Sequence, residues 1–143
     1  MYRLLLDTNV LLDAMEAGRP ESDEACKVLE RCNGGGDMGM ACAMSLKDVY
    51  YVLCKLRGEA LAREGVRMLM GLVVVAPTGA EEADLAMCSN ESDFEDGLVR
   101  ATAELNDVDF IITRNRSAFA NTKVRSVSAA QYLKIVGDEL HTS

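Results

Sequence analysis

The sequence predicts an α/β fold, a parallel sheet sandwiched between helices, and three observations carry that reading. Short apolar runs of strand length recur along the chain, separated by segments of helical spacing long enough to serve as crossovers. The first run, Tyr2–Leu6, stops at Asp7, as a strand buried on both faces does. At 143 residues, with 49% hydrophobic and 27% charged residues, the chain has the size and composition of a single domain with a real core.

The elements follow in order. TNVLLDAME after Asp7 puts Val10, Leu11 and Ala14 on one helical face. Pro20 and Glu21 open a second helical stretch to about Cys32, with Ala25, Val28, Leu29 and Cys32 at helical intervals, and Asn33-Gly34-Gly35-Gly36 ends it. Met38–Ala43 reads as the second strand. Ser45 is placed to cap a helix carrying Leu46, Val49, Tyr50, Leu53 and Cys54, which Gly58 separates from another helix to about Met70. Leu72–Val75 is the third strand and Glu81–Asn90 a helix; Ser92 or Asp93 caps the next helix, through Leu105. Asp109–Thr113, with Phe-Ile-Ile at its centre, is the fourth strand. Lys123–Val127 is a weaker fifth, before a closing helix from Ser128 to Val136.

Composition removes several function classes. The five cysteines are an odd number with no C-x-x-C, which argues against a disulfide framework. The single histidine, His141, lies in the C-terminal tail, so a Cys/His zinc site and a Ser-His-Asp triad lack their parts. No Gly-rich phosphate loop follows a strand. No apolar run approaches the ~20 residues of a membrane span, and the chain enters a strand at once rather than a signal peptide, so a cytoplasmic protein is expected. The net charge of −8 is unevenly spread. Residues 79–109 hold ten acids and only Arg100 as a base, whereas 110–125 hold Arg114, Arg116, Lys123 and Arg125 without an acid. Residues 47–67 add five bases against three acids. An acidic pocket rimmed by basic patches suits a metal and a phosphate.

Ligands of open α/β sheets bind beyond the carboxyl ends of the strands, where strand order reverses. Asp7 follows the first strand and Asn115 the fourth, so the two share a crevice if those strands are neighbours. Asp48 is expected in the first turn of the helix after the second strand, and Asp96 in the first turn of the helix before the fourth. Singly, each has an ordinary explanation as a cap, a first-turn acid or a turn residue. Together they form a set of hard oxygen donors of the kind that holds a divalent cation. A dehalogenase-type phosphatase would need a second acid where Asn9 stands. A phosphoacceptor receiver would need an acid after the third strand, where Ala76-Pro77-Thr78 stands.

LLLDTNVLLD, then YYVL on a mid-chain helix, then DFEDGLVRATAELNDVDFIITRNRSAF resembles the PIN domain, the fold of the VapC-type toxin ribonucleases, and more narrowly a bacterial branch carrying D-F-E-D and I-[IV]-T-R-N. The resemblance runs from Tyr2 to about Leu133. It implies a three-layer α/β/α sandwich around a five-stranded parallel sheet of order 3-2-1-4-5, which sets the first and fourth strands side by side. The family's first acid falls on Asp7, its third on Asp96 and its fourth position on Asn115. The second, usually Glu, falls on Asp48, one methylene shorter, which reaches a metal directly or through water. Asp93 is either the cap of its helix or a further ligand. The resemblance further implies that Thr8 and Asn9 orient Asp7, that Thr113 lines the pocket, and that Arg114 and Arg116 contact substrate phosphate.

The expected activity is endonucleolytic hydrolysis of RNA with Mg²⁺ or Mn²⁺ held by Asp7, Asp96, Asp48 and Asn115, with Asp93 as a possible addition. The expected partners are RNA, a cognate antitoxin protein and a second copy of the chain, with no membrane. The alternative is a PIN-like RNA- or protein-binding module made catalytically weak by Asp48.

Overall fold

The computed structural model describes residues 1–119 and 122–142; the side chains of His141 and Thr142 lie outside the description. The sheet has the order β3-β2-β1-β4-β5, with every neighbouring pair parallel. Its strands are β1 (Arg3–Leu6), β2 (Met38–Cys42), β3 (Val74–Ala76), β4 (Phe110–Ile112) and β5 (Arg125–Val127). The helices among the described residues are α1 (Thr8–Met15), α2 (Ser22–Asn33), α3 (Ala43–Arg57), α4 (Glu59–Leu72), α5 (Ala80–Cys88), α6 (Phe94–Leu105) and α7 (Ala129–Thr142).

β1 is the central strand because its leucines can be buried on both faces. Leu4, Leu5 and Leu6 are all buried, and alternation sends Leu4 and Leu6 to one side and Leu5 to the other. Leu4 and Leu6 join the larger core with Val10, Leu11, Val28, Val49, Leu69 and Tyr132, drawn from α1, α2, α3, α4 and α7. Leu5 joins a smaller core with Met40, Val99, Ala103, Ile111 and Phe119, closed mainly by α6. The two cores make the three layers. Gly97 lets α6 approach α5, since a Cβ there would stand 3.1 Å from the Ala86 Cβ. Gly58, at φ 89°, turns α3 into α4 in a conformation that disfavours any side chain.

The amino ends of the strands are locked by a buried carboxylate. Asp37 accepts from the Tyr2 N–H (3.0 Å), the Arg31 Nε (2.8 Å) and the Tyr132 hydroxyl (2.6 Å), tying β1, α2 and α7 together. Burial works against its charge, but these hydrogen bonds and the Arg31 cation prevail and hold the carboxyl below its ordinary value.

Several boundaries differ from the sequence reading. α3 begins at Ala43 with Cys42 as its N-cap, so Ser45 is a buried residue inside the helix rather than its cap. The earlier start places Asp48 in the second turn. α2 begins at Ser22, after Pro20 and Glu21. α4 runs on to Leu72 and displaces β3 to Val74–Ala76, because Leu69 fills the core from the helix and Leu72 packs against it. The closing helix extends beyond Val136 to Thr142, since nothing in GDELH stops it.

Candidate metal centre

The site is built where β1 and β4 end side by side. Their register pairs Leu6 with Ile112, and the Asp7 N–H donates to the Ile112 carbonyl at 3.0 Å. Asp7 is the first residue past β1 and the N-cap of α1. One carboxylate oxygen, Oδ1, accepts the Thr8 N–H at 2.9 Å, satisfying a donor that the helix start would leave unpaired. The other, Oδ2, accepts the hydroxyl of Thr113 at 2.8 Å. Thr113 is fully buried, and its Oγ1 accepts in turn the N–H of Asn115 at 3.0 Å. Ser117 donates its hydroxyl to the Asn115 Oδ1 at 2.9 Å. One line of hydrogen bonds therefore sets both the Asp7 carboxylate and the turn that carries Asn115.

α6 brings the second set of acids. Asp93 is its N-cap, accepting the Asp96 N–H at 2.9 Å, which settles the choice between Ser92 and Asp93. Burial, and then the charges of Asp93, Asp7 and Glu91, push the Asp96 carboxyl above its ordinary value. Asp96 thus shares an electrostatic neighbourhood with Asp7 as well as with Asp93. Among the described residues, none of these three carboxylates forms an ion pair with Lys or Arg.

Asp48 stands apart from them. Its Oδ1 is 3.0 Å from the Lys47 Nζ. It also faces Glu95, whose carboxyl is pushed up by burial first, then by a hydrogen bond with Asp48 and by the charges of Asp48 and Asp93, against the opposing pull of Lys47. Glu95 is the acid that the sequence reading left out, and it bridges Asp48 to the Asp93–Asp96 turn. Its signal was present as the third letter of DFED, one residue before Asp96.

The remaining expected residues divide. Thr8 acts on Asp7 through its backbone N–H. Asn9 forms no hydrogen bond to Asp7 among the described residues. Arg114 does not stand free at the rim: its Nε lies 3.3 Å from the Asp13 Oδ2 and 3.4 Å from the Glu21 Oε2. Asp13 is buried and also holds Arg19 at 2.9 Å, so Arg114 compensates a buried charge and joins the β4 turn to α1. Arg116 is exposed, opens the 3-10 turn Arg116–Phe119 and has no carboxylate within ion-pair distance among the described residues.

The donor set is all oxygen, which suits Mg²⁺ or Mn²⁺ rather than a softer metal. Asp7 and Asp96 fit such an ion: neither has an ion-pair partner among the described residues, and each oxygen of the Asp7 carboxylate keeps a lone pair beyond the hydrogen bond it accepts. Among the described residues no three acidic, cysteine or histidine side chains converge at ligand spacing. Asp48 has one oxygen, Oδ1, engaged by Lys47.

The PIN domain family model matches residues 3–117, and the chain belongs to that family. The fold is shared with solved structures of low sequence identity. A chain of a toxin–antitoxin complex from Klebsiella pneumoniae superposes with a TM-score of 0.68 at 23% identity, over 88% of this chain and 97% of that one. A chain of a DNA-bound VapBC complex from Salmonella typhimurium gives 0.67 at 13% identity, over 90% and 99%. VapC20 from Mycobacterium tuberculosis, described as a sarcin-ricin loop cleaving toxin, gives 0.66 at 15% identity, over 83% and 95%. No curated protein matches the chain significantly.

Proposed function

We propose that this protein is a metal-dependent endoribonuclease, the toxin of a toxin–antitoxin pair. The observation that carries the reading is the Asp7 carboxylate, fixed by the Thr8 N–H and the Thr113 hydroxyl at the carboxyl end of the central strand, beside an Asp96 whose charge is opposed by its neighbours. Such an arrangement is costly unless a cation is to be bound there.

Asp7 and Asp96 would hold Mg²⁺ or Mn²⁺, with Asn115 offering a neutral oxygen and Asp93 and Asp48 acting through water. The bound ion supplies activation of water and neutralisation of charge at the scissile phosphate. Thr113 keeps the Asp7 carboxylate in one orientation, so no reorganisation is needed when substrate arrives. Arg116, with no carboxylate partner among the described residues, binds the neighbouring phosphate; Arg114 contributes by holding the turn.

The structural neighbours named as toxin–antitoxin complexes favour an antitoxin protein as partner. Among the described residues no helix is long and apolar enough to cross a membrane, in keeping with action in the cytoplasm. Exposed Tyr51, Leu61 and Met68 on α3 and α4 favour a homodimer. The binding-module alternative draws on one observation, the engagement of Asp48 by Lys47.

Cleavage of a mixed RNA panel separates the two. The enzyme cuts in Mn²⁺, stops in EDTA and is silenced by Asp7→Asn. A chain that binds RNA but leaves it intact in Mn²⁺ is the binding module.

A further inference from the structure

The cleft that contains Arg116 lies against β5, an edge strand of the sheet. It encloses about 330 Å³ between the 3-10 turn, β5 and α7, and its lining includes Arg116, Arg125, Ser126, Gln131, Lys134 and Asp138. Three cations thus face one acid in a chain of net charge −8. All three are exposed, and among the described residues none lies within ion-pair distance of a carboxylate. Arg114, two residues earlier, is by contrast taken up by Asp13 and Glu21.

The cations are placed rather than merely clustered. Arg116 follows Asn115 directly, and its carbonyl accepts from the Ser126 hydroxyl at 3.5 Å, which draws the turn against β5. Arg125 sits on that edge strand in register with Phe110, and its guanidinium lies 5.9 Å from the centre of the Phe110 ring. Lys134 comes from α7 across the cleft. The Gln131 side-chain oxygen is used by the Ser128 N–H at 3.0 Å, which leaves its NH₂ as a further donor. Among the described residues no aromatic ring lines the cleft, so they offer no surface for stacking bases. Successive cations without a stacking platform match a polyanionic backbone.

We propose that this cleft is a phosphate-binding track that holds the backbone of single-stranded RNA beyond the cleavage site, with Arg125 and Lys134 as its outer cations. The inference rests on the reading of the Asp7 centre as a ribonuclease. It assigns Arg116 to the junction of centre and track, and it makes binding of longer RNA insensitive to sequence at the outer positions.

The test is fluorescence anisotropy of labelled single-stranded RNAs of about 12 and about 3 nucleotides with EDTA present, across a salt titration. The double variant Arg125→Glu, Lys134→Glu should weaken binding of the longer RNA by roughly tenfold or more and lower the magnitude of its salt slope by about 1.4, at about 0.7 per lost single-strand contact. The short RNA should respond much less, and Mn²⁺ affinity should stay that of the unaltered chain. Should the double variant fail to fold, Lys134→Ala, a truncation at an exposed helical position, should still lower the slope by about 0.7. An unchanged affinity and slope for the longer RNA would overturn the track. So would a variant that keeps RNA binding but loses capture of an acidic peptide, which would give the cleft to a protein partner. If the unaltered chain neither binds nor cuts RNA, the reading of the centre fails as well; if it cuts RNA and only the slope is unmoved, the track alone is wrong.

Discussion

The hydroxyl of Thr113 donates to the Asp7 carboxylate at 2.8 Å, although 106 positions separate the two residues in the chain. That bond converts two neighbouring strand ends into a site. Thr113→Val keeps the shape but removes both the donor to Asp7 and the acceptor for the Asn115 N–H. Cleavage should fall roughly 10- to 100-fold, and the fold should lose about 1–2 kcal/mol through the two lost hydrogen bonds. Thr113→Ser should restore most of both. Cleavage rates and urea denaturation of the two variants decide it; wild-type cleavage by Thr113→Val would remove the bond from the mechanism.

The acids should rank. Asp7→Asn and Asp96→Asn should each lower cleavage roughly 100-fold or more, while Asp48→Asn, at a position held by Lys47, should cost roughly tenfold. Equal losses at Asp48 and Asp7 would place Asp48 in direct contact with the ion.

Asp96→Asn should also stabilise the chain in EDTA while abolishing the rise in Tm on adding Mn²⁺. The sign follows from the raised Asp96 carboxyl. The native state binds the proton more tightly than the unfolded chain, so the ionised group penalises folding above its native pKa. The penalty fades on acidification and is gone below the ordinary carboxylate value of 3.8. The stability difference between the variant and the unaltered chain should therefore close as pH falls. A gap that widens toward acid would contradict the repulsion.

Asp37 should behave in the opposite sense. Its carboxyl is held below 3.8, so the stability it contributes is complete above that value and is lost as pH falls through the lower native pKa. Asp37→Asn should cost about 2–3 kcal/mol at neutral pH, with little effect on cleavage because the residue lies at the other end of the strands. Chemical denaturation at a series of pH values reads both the loss and its convergence with the unaltered chain in acid.

Assembly is the fifth expectation. Tyr51, Leu61 and Met68 are each more than half exposed, whereas Tyr50 is partly covered, with its ring edge-on to that of Tyr51. Light scattering at tens of micromolar should give a dimer mass, and Leu61→Glu with Met68→Glu should shift it to a folded monomer. A monomer mass for the unaltered chain would reject the dimer.

Periodicity and punctuation in the sequence were enough to predict the α/β class and the order of the elements, and to offer Asp7 as one cap and Ser92 or Asp93 as another. Those features are local: an N-cap hydrogen bond reaches at most three residues along the chain, and an apolar run announces its burial by itself. Resemblance to the PIN domain added the strand order and the family positions onto which Asp7, Asp48, Asp96 and Asn115 fall. Tertiary structure alone decided the rest. Thr113 meets Asp7 only because β1 and β4 pair in one register, a fact held by neither segment separately. Arg114 turns to Asp13 and Glu21 because Asp13 is buried and needs its charge answered. Glu95 meets Asp48 only when α6 settles beside the end of β2, and Arg116, Arg125 and Lys134 line one cleft because a turn, an edge strand and a closing helix converge there. Short-range hydrogen bonding and patterning are written in consecutive residues, whereas long-range electrostatics depend on which distant segments packing brings within a few ångströms.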